Sequence, residues 1–398
     1  MTDLAPDRTP VIIDVLRSPV GRAAKGSLVD YRPDDLAAFV LRALLDRYPK
    51  VPEDNVDDVI CGCAFPWGEQ GYNVGRSIGL LAGLSHTIPG QTITRLCGSS
   101  LQALRSAAHA IIAGEGGTFA VVGVESVTRV GHGHHLATQN PLLNPKASGP
   151  TIGSVFMPMG ETAENVADRW GVTREVMDAF AQRSQERATA AQVSGFTGRE
   201  LISVPLPQGG TLDHDESPRA SSTHEKLAGL KPVFREDGRV TAGNSCPLND
   251  GAAAALVMSA AHAQELDLVP RARIVASAVS AVDPSLMGVG PIQAIGTALR
   301  RAGLEIGDID VFELNEAFAA QVIPVCEEVG IDPFGDRVNP YGGGIAIGHP
   351  FGMTGLRIMS TLLNGLDERD GRFGIESMCI GGGQGQAMVV ERLGPRST

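Results

Sequence analysis

Two halves of the chain repeat one plan, and that repetition narrows the folds open to it more than any other feature. In the first half a strand-like VDDVICG (56–62) precedes a turn and helix at 96–113, and a strand-like FAVVGVES (119–126) follows. In the second half DIDVFELNEAFA (308–319) precedes NPYGGGIAIGHPFGMTGLRIMSTLL (339–363), and SMCIGGGQGQAMVVE (377–391) follows. An apolar strand, a tight turn, a helix and a further strand, twice over, predict two mixed α/β units related by duplication. The likeness is one of pattern, not of residue identity.

A stretch of different character separates them. Residues 127–158 are rich in Gly, Pro, Asn and His, and 203–238 are again punctuated by Pro and Gly. These segments bracket the helical runs ETAENVADRW and TREVMDAFAQRSQERATAAQV. The pattern predicts a loop-rich insertion over 127–250, and such segments on a rigid scaffold often bind substrate. The small-residue run GAAAALVMSAA (251–261) reads as a buried strand or a buried helix. PIQAIGTALRRAGL (291–304) reads as a helix with Pro291 in its first turn and Gly303 near its end. The expected division is residues 1–126 with 251–271 as one core half, 127–250 as the insertion, and 272–398 as the other half.

Composition excludes several classes of function. At 398 residues, with 43% apolar and 20% charged, the chain is ordinary globular protein with room for about two to three domains. No run approaches the ~18 consecutive apolar residues of a spanning helix, and MTDLAPDRTPVIID is no secretory signal, so a cytoplasmic protein without membrane partners is expected. A formal net charge of −12 argues against nucleic-acid binding. Six cysteines are too sparse for a disulfide framework, so reduced thiols are expected. Cys61-Gly62-Cys63 lacks the spacer of a redox or zinc motif, and its apolar setting marks it as structural.

Cys97 is the residue that invites chemistry. In LCGSSLQALRSAA, Leu101, Leu104, Ala108, Ile111 and Ile112 share one helical face, with Ser99 or Ser100 as the expected N-cap. Cys97 then lies at a helix N-terminus, where unpaired N–H groups and the helix dipole favour a thiolate. Burial as a small hydrophobe is the competing reading.

Three further features point to acyl transfer. A thiol is only a few per cent thiolate at neutral pH and needs a base, and His349, in the glycine-rich turn GGGIAIGHPFG beside Pro350, is the candidate. Cys379 precedes Gly381, Gly382, Gly383 and Gly385, whose backbone can present N–H groups to an oxyanion while the second thiol transfers a proton. Asn315 and Glu316 lie in ELNEAFA. Taken singly, GGGQGQA is a tight turn and a lone His is structural; the combination carries the reading.

LCGSSLQA, NEAFA, NPYGGGIAIGHPFGMTG and CIGGGQGQA, in this order over essentially the whole chain, resemble the signatures of the thiolases, the acetyl-CoA C-acyltransferases and acetyltransferases. MGETAENVADRWGVTRE and LKPVFREDGRVTAGNSCPLNDGAAAA extend the resemblance. It implies a duplicated α/β core of two mixed five-stranded sheets with layered helices, and a loop domain inserted in the first half. It also implies a Cys97 acyl-enzyme, His349 as base, Cys379 as acid or base, and oxyanion holes from His349 with an Asn315-held water and from the N–H groups of Cys97 and Gly381. Coenzyme A is then a co-substrate and acyl-CoA the substrate, with no permanently bound cofactor, in a homodimer or homotetramer.

For coenzyme A, the resemblance places Arg219 near the nucleotide end and Cys246 where many members carry a serine on the pantetheine arm. A thiol there donates weakly. Met159, Met287 and Phe318 fall where the family lines the acyl and pantetheine channel; as apolar residues they suit a core equally. His132, His134 and His135 in GHGHH have no acidic or cysteine neighbour and read as a solvated loop, so no metal is expected. Trp67 is a dimer or channel residue. Ketoacyl synthases and their relatives share the fold but generally lack a cysteine at the second thiol position. Thiolytic cleavage of 3-ketoacyl-CoA is the expected function, with biosynthesis of acetoacetyl-CoA and non-catalytic acyl-CoA or lipid carriage as the alternatives.

Overall fold

The computed structural model describes residues 4–131, 139–144 and 153–394. The first half supplies strands β1 (Pro10–Arg17), β2 (Gly21–Arg22), β3 (Asp58–Cys63), β4 (Gly90–Ile93) and β5 (Thr118–Ser126). Its helices are α1 (Pro33–Arg47), α2 (Val74–Leu81) and α3 (Ser99–Ala113). Between β5 and the next long strand come α4 (Val127–Val130), α5 (Met159–Trp170), α6 (Arg174–Val193), the ribbon β6 (Val204–Pro205) and β7 (Thr211–Leu212), and α7 (His224–Ala228). Strand β8 (Asn249–Ser259) and helix α8 (Ala260–Glu265) return to the core. The second half runs β9 (Ala272–Ala281), α9 (Gly290–Ala302), β10 (Val311–Leu314), α10 (Ala319–Val329), α11 (Thr354–Glu368), β11 (Phe373–Ile380) and β12 (Gln384–Arg392).

Strand pairing makes the duplication explicit. In the first half the order is β4-β3-β5-β8-β1, with β3 parallel to β4 and β5, and β8 antiparallel to β5 and β1. In the second, β10 is parallel to β11, and β12 is antiparallel to β11 and β9. The place of β4 is held there by one parallel bridge, Phe312 to Val338. A short antiparallel contact of β1 with β9, at Val11–Arg273 and Ile12–Ala272, joins the halves into one continuous sheet.

Side-chain periodicity then sets the layers. Alternate faces of the strands feed three apolar clusters: α1 and α2 cover the outer face of one half, and α9 and α10 the outer face of the other. Helices α3 and α11 share the central cluster between the two halves. Leu101, Leu104 and Ile111 of α3 are fully buried there, as the apolar spacing predicts. The helix cap differs from expectation: Gly98 is the N-cap, Ser99 is the first helical residue, and Ser99 Oγ donates back to the Leu96 carbonyl at 2.6 Å. A side chain committed to the preceding turn cannot cap the helix it opens. The run 251–261 resolves as strand β8 through Ser259, whose hydroxyl accepts the His262 N–H and caps α8. Helix α9 begins with Pro291 in its first turn and ends at Gly303 in the left-handed region (φ 66°).

One buried ion cluster ties the insertion to both halves. The Arg17 guanidinium, on β1, donates to Glu200 Oε1 at 2.6 Å and to Asp215 Oδ1 at 2.7 Å. Asp215 also accepts the Val20 N–H (2.8 Å), and Glu200 accepts from the Thr361 hydroxyl of α11 (3.1 Å). All three charged side chains are at most 2% exposed. Breaking such a pair by deleting one partner leaves uncompensated buried charge. Arg17→Met is therefore expected to lower unfolding free energy by about 3–5 kcal/mol, measured by urea denaturation; a loss under about 1 kcal/mol, the range of an exposed pair, would refute the role given to the cluster.

Candidate active site

Cys97 sits in the turn between β4 and α3, held by a short hydrogen-bond ring. Ser99 Oγ accepts the Arg95 N–H (3.0 Å) while donating to Leu96 O, and the Gly98 N–H returns to the Arg95 carbonyl (3.0 Å). The ring forces Leu96 to φ 45°. A leucine in the left-handed region costs roughly 1–2 kcal/mol, which the surrounding packing sustains. Burial pushes the half-buried Cys97 thiol up to about 11, against the pull downward of the nearby backbone N–H groups of Gly381 and Cys97. Gly381 follows β11, and a Cβ there would lie 2.8 Å from Leu96 Cδ1.

His349 approaches from the other half, in the turn before α11. Its backbone N–H donates to Asn249 Oδ1 at 3.0 Å. The Thr354 hydroxyl donates to the Pro350 carbonyl (2.8 Å), so toward His349 Nδ1, 2.6 Å away, it accepts. That places the imidazole proton on Nδ1 and leaves Nε2 with a lone pair. Asn315 Nδ2, just after β10, donates to this Nε2 at 3.2 Å. Burial, aided by the Arg357 guanidinium, pushes the imidazole down to about 3. His349 is neutral throughout the physiological range.

Cys379, near the end of β11, is buried and its thiol donates to Gln321 Oε1 at 3.7 Å. Burial raises its pKa, and the neighbouring Cys97 and Cys246 raise it further. Cys246 is pushed up to about 12 by burial and then by Cys97. Three thiols thus share one locality, each held protonated. A small cavity of about 10 Å³, roughly one water in size, is lined by Asn315, Gln321, Ser377 and Cys379. Asn315 Oδ1 is buried without a hydrogen-bond partner.

The remaining expected residues fall into two places. Met159, Met287, Phe318 and Cys246 pack in the same apolar cluster as Cys379. The Cys246 N–H donates to the Ala317 carbonyl (2.9 Å), and Ser245 bridges to Phe318. Arg219 lies apart, exposed beside a groove of about 230 Å³ with Lys226, Ser217, Ser222 and Leu230. Trp67 ends a row of half-buried rings: Phe65 lies 4.8 Å from it, Phe351 lies 5.6 Å from Phe65, and His349 lies 5.1 Å from Phe351. Gln321, Thr354, Asn249 and Lys226 are site residues that sequence reasoning missed. Only Thr354, at the start of a helix shortly after His349, left a legible cue. His132, His134 and His135 lie outside the described residues, and among the described residues no group of three or more His, Cys, Asp or Glu could hold a metal.

Protonated thiols beside backbone N–H donors, with a neutral imidazole whose Nε2 carries the lone pair, suit the chemistry of an acyltransferase. The chain belongs to the thiolase family: residues 10–261 match the thiolase N-terminal domain and 268–392 the thiolase C-terminal domain. It is 46% identical to a 3-ketoacyl-CoA thiolase of Saccharophagus degradans, over 97% of this chain and 99% of that protein. It is likewise 46% identical to a beta-ketoadipyl-CoA thiolase of Escherichia coli, over 97% of this chain and all (100%) of that one. The crystal structure of the Bacillus anthracis acetyl-CoA acetyltransferase superposes with a TM-score of 0.88 at 38% identity, covering 97% of this chain and 99% of that chain.

With the Cys97 thiol up near 11 and His349 down near 3, the resting pair is thiol and imidazole rather than thiolate and imidazolium. The thiolate fraction then grows about tenfold per pH unit below the thiol's pKa. Alkylation of Cys97 by iodoacetamide, resolved by peptide mass spectrometry, is expected to accelerate at that rate from pH 7 to 9. A flat profile over this range would show an ion pair instead.

Proposed function

We propose that the protein catalyses CoA-dependent cleavage of 3-ketoacyl-CoA to acetyl-CoA and an acyl-CoA shortened by two carbons. The observation that carries this reading is the meeting of Cys97, the Gly381 N–H, Cys379 and the His349–Asn315 pair where the two halves join. Cys97 Sγ attacks the 3-keto carbonyl while His349 Nε2 takes the thiol proton. Because the thiol is held protonated, transfer accompanies attack rather than preceding it. The N–H groups of Cys97 and Gly381 receive the developing oxyanion; removing one such donor typically lowers kcat by ~100-fold or more. The Cα–Cβ bond then breaks, its electron pair going to the acetyl-CoA enolate. Cys379, protonated at neutral pH, donates the proton that gives acetyl-CoA. CoA next gives its thiol proton to the Cys379 thiolate and attacks the acyl-Cys97 thioester; the shortened acyl-CoA leaves, and His349 returns its proton to Cys97 Sγ, so all three groups regain their starting states.

His349 has a second use in the same cycle. Once protonated, Nε2–H is a donor, and with a water held by Asn315 it stabilises the enolate oxygen. Asn315 touches Nε2 directly and lines the one-water cavity beside Cys379, which supports this assignment. The insertion over 127–250 receives coenzyme A: Arg219 and Lys226 supply positive charge at the groove for its phosphates, while Cys246, Met159, Met287 and Phe318 line the way to Cys97. Among the described residues no helix is long and apolar enough to cross a membrane.

The edge of the sheet supports a homodimer. Strand β4 pairs only with β3 among the described residues, and α2 packed beside it exposes Leu80 and Leu81. An unpaired edge flanked by apolar side chains invites a second copy related by a twofold axis.

CoA-dependent cleavage of a medium-chain 3-ketoacyl-CoA is expected to exceed that of acetoacetyl-CoA, and Cys97→Ala to abolish both. Activity on acetoacetyl-CoA alone would make the enzyme an acetyltransferase, and a fully active Cys97→Ala would sink the acyl-enzyme. Light scattering should give the mass of at least two subunits, with Leu81→Asp shifting it toward one; a wild-type monomer would refute the interface.

A further inference from the structure

Glu125, near the end of β5, is 1% exposed and has no part in the chemistry above. One of its oxygens serves both halves of the molecule. Oε2 accepts the Ala64 N–H, just after β3, and the Gly352 N–H, in the turn between His349 and α11, each at 2.9 Å. Oε1 accepts from Gln70 Nε2 at 2.6 Å. Gln70 is itself fixed, accepting the Ser126 N–H at 2.6 Å and donating to the Phe65 carbonyl at 3.0 Å. Gly352 lies in the turn that leads into α11, so Glu125 holds the entry to that helix from the opposite half. The fit is close: a Cβ on Gly352 would lie 2.3 Å from the Val124 carbonyl oxygen.

The duplication shows what this carboxylate replaces. Where the start of α3 meets the end of β11, the groups presented are the Cys97 thiol and the Gly381 N–H. At the related place, where the start of α11 meets the end of β5, the donors are filled by a built-in carboxyl group, whose pKa burial lifts to about 7. One helix start is left open for a reacting oxyanion and the other is closed. The segments that Glu125 clamps, 64–65 and 351–352, also carry the Phe65–Phe351 ring pair, and Phe351 packs edge-on against His349 at 5.1 Å.

We propose that Glu125 is a positioning residue of the thiolase reaction: by holding the His349 turn against the first half, it sets the placement of His349 relative to Cys97. The proposal rests on the reading of Cys97 and His349 as nucleophile and base. Misplacing a reacting group by about 1 Å costs on the order of 100-fold in rate, whereas the CoA groove at Arg219 and Lys226 has no contact with the clamp.

The test uses the full-length protein with Glu125→Gln, which keeps the reach but replaces one carboxyl oxygen by a donating amide, and Glu125→Asp, which keeps the carboxyl group but is too short to serve both halves. Both are assayed for CoA-dependent cleavage beside His349→Ala. The expected result is a fall in kcat on the order of 100-fold with KM for CoA unchanged. Wild-type kcat per folded molecule, with only a lower melting temperature, would reduce Glu125 to a structural role and overturn the proposal. If Glu125→Gln does not fold, Glu125→Asp decides by the same split. Undiminished kcat in His349→Ala would overturn the reading beneath it; impaired His349→Ala beside active Glu125 variants would overturn this proposal alone.

Discussion

The structure depends on the contact between the starts of two central helices. Helices α3 and α11 lie between the two sheet halves with their N-terminal turns packed together, and Ser100 Oγ accepts the Leu356 N–H across that contact at 3.2 Å. The backbones meet too closely for a side chain: a Cβ on Gly355 would lie 2.5 Å from the Leu101 nitrogen. Each helix delivers the turn before it, and with it one reacting group, to the same spot. Cys97 and His349, the nucleophile and base proposed above, therefore come from different halves, and neither half alone could form the site.

Burial at this junction governs the chemistry as much as proximity does. The same desolvation that lifts the thiols depresses His349, so the three thiols and the imidazole rest neutral. A neutral site suits a reaction in which charge appears only as bonds change. In the mechanism proposed above, donors prepared in advance, the N–H groups of Gly381 and Cys97, stabilise charge without reorganising at the moment of reaction. The strain at Leu96 and the packed turn at Gly352 are the local conditions that keep those donors and the base in place.

Much of this was legible in the sequence. The order of strand, turn and helix, twice, is a matter of local periodicity and turn chemistry, and it appears in the paired sheets as β3-α3-β5 and β10-α11-β11. Cys97, His349, Cys379 and Gly381 stood out because thiols, an imidazole and bare glycines are conspicuous residue types in turns. The capping serine did not follow the local rule: Ser99 serves the turn before its helix, since the ring through Arg95 and Leu96 claims its hydroxyl. The run 251–261 was ambiguous for a simple reason, that small apolar residues suit a buried strand and a buried helix alike.

What the sequence determined by itself was therefore the repeat, the layered α/β class and the residues proposed to react, because these follow from spacing and residue type along the chain. What only the tertiary structure decided was which residues stand behind them. Thr354 fixes the His349 tautomer, Gln321 takes the Cys379 thiol, and Glu125 joins Ala64 to Gly352. Asn315 and His349 are 34 positions apart, and Ala64 and Gly352 are drawn to one carboxylate oxygen from opposite halves. Hydrogen bonds between residues so distant carry no periodic signal, since they exist only after packing has brought two independent segments to within 3 Å or so of each other.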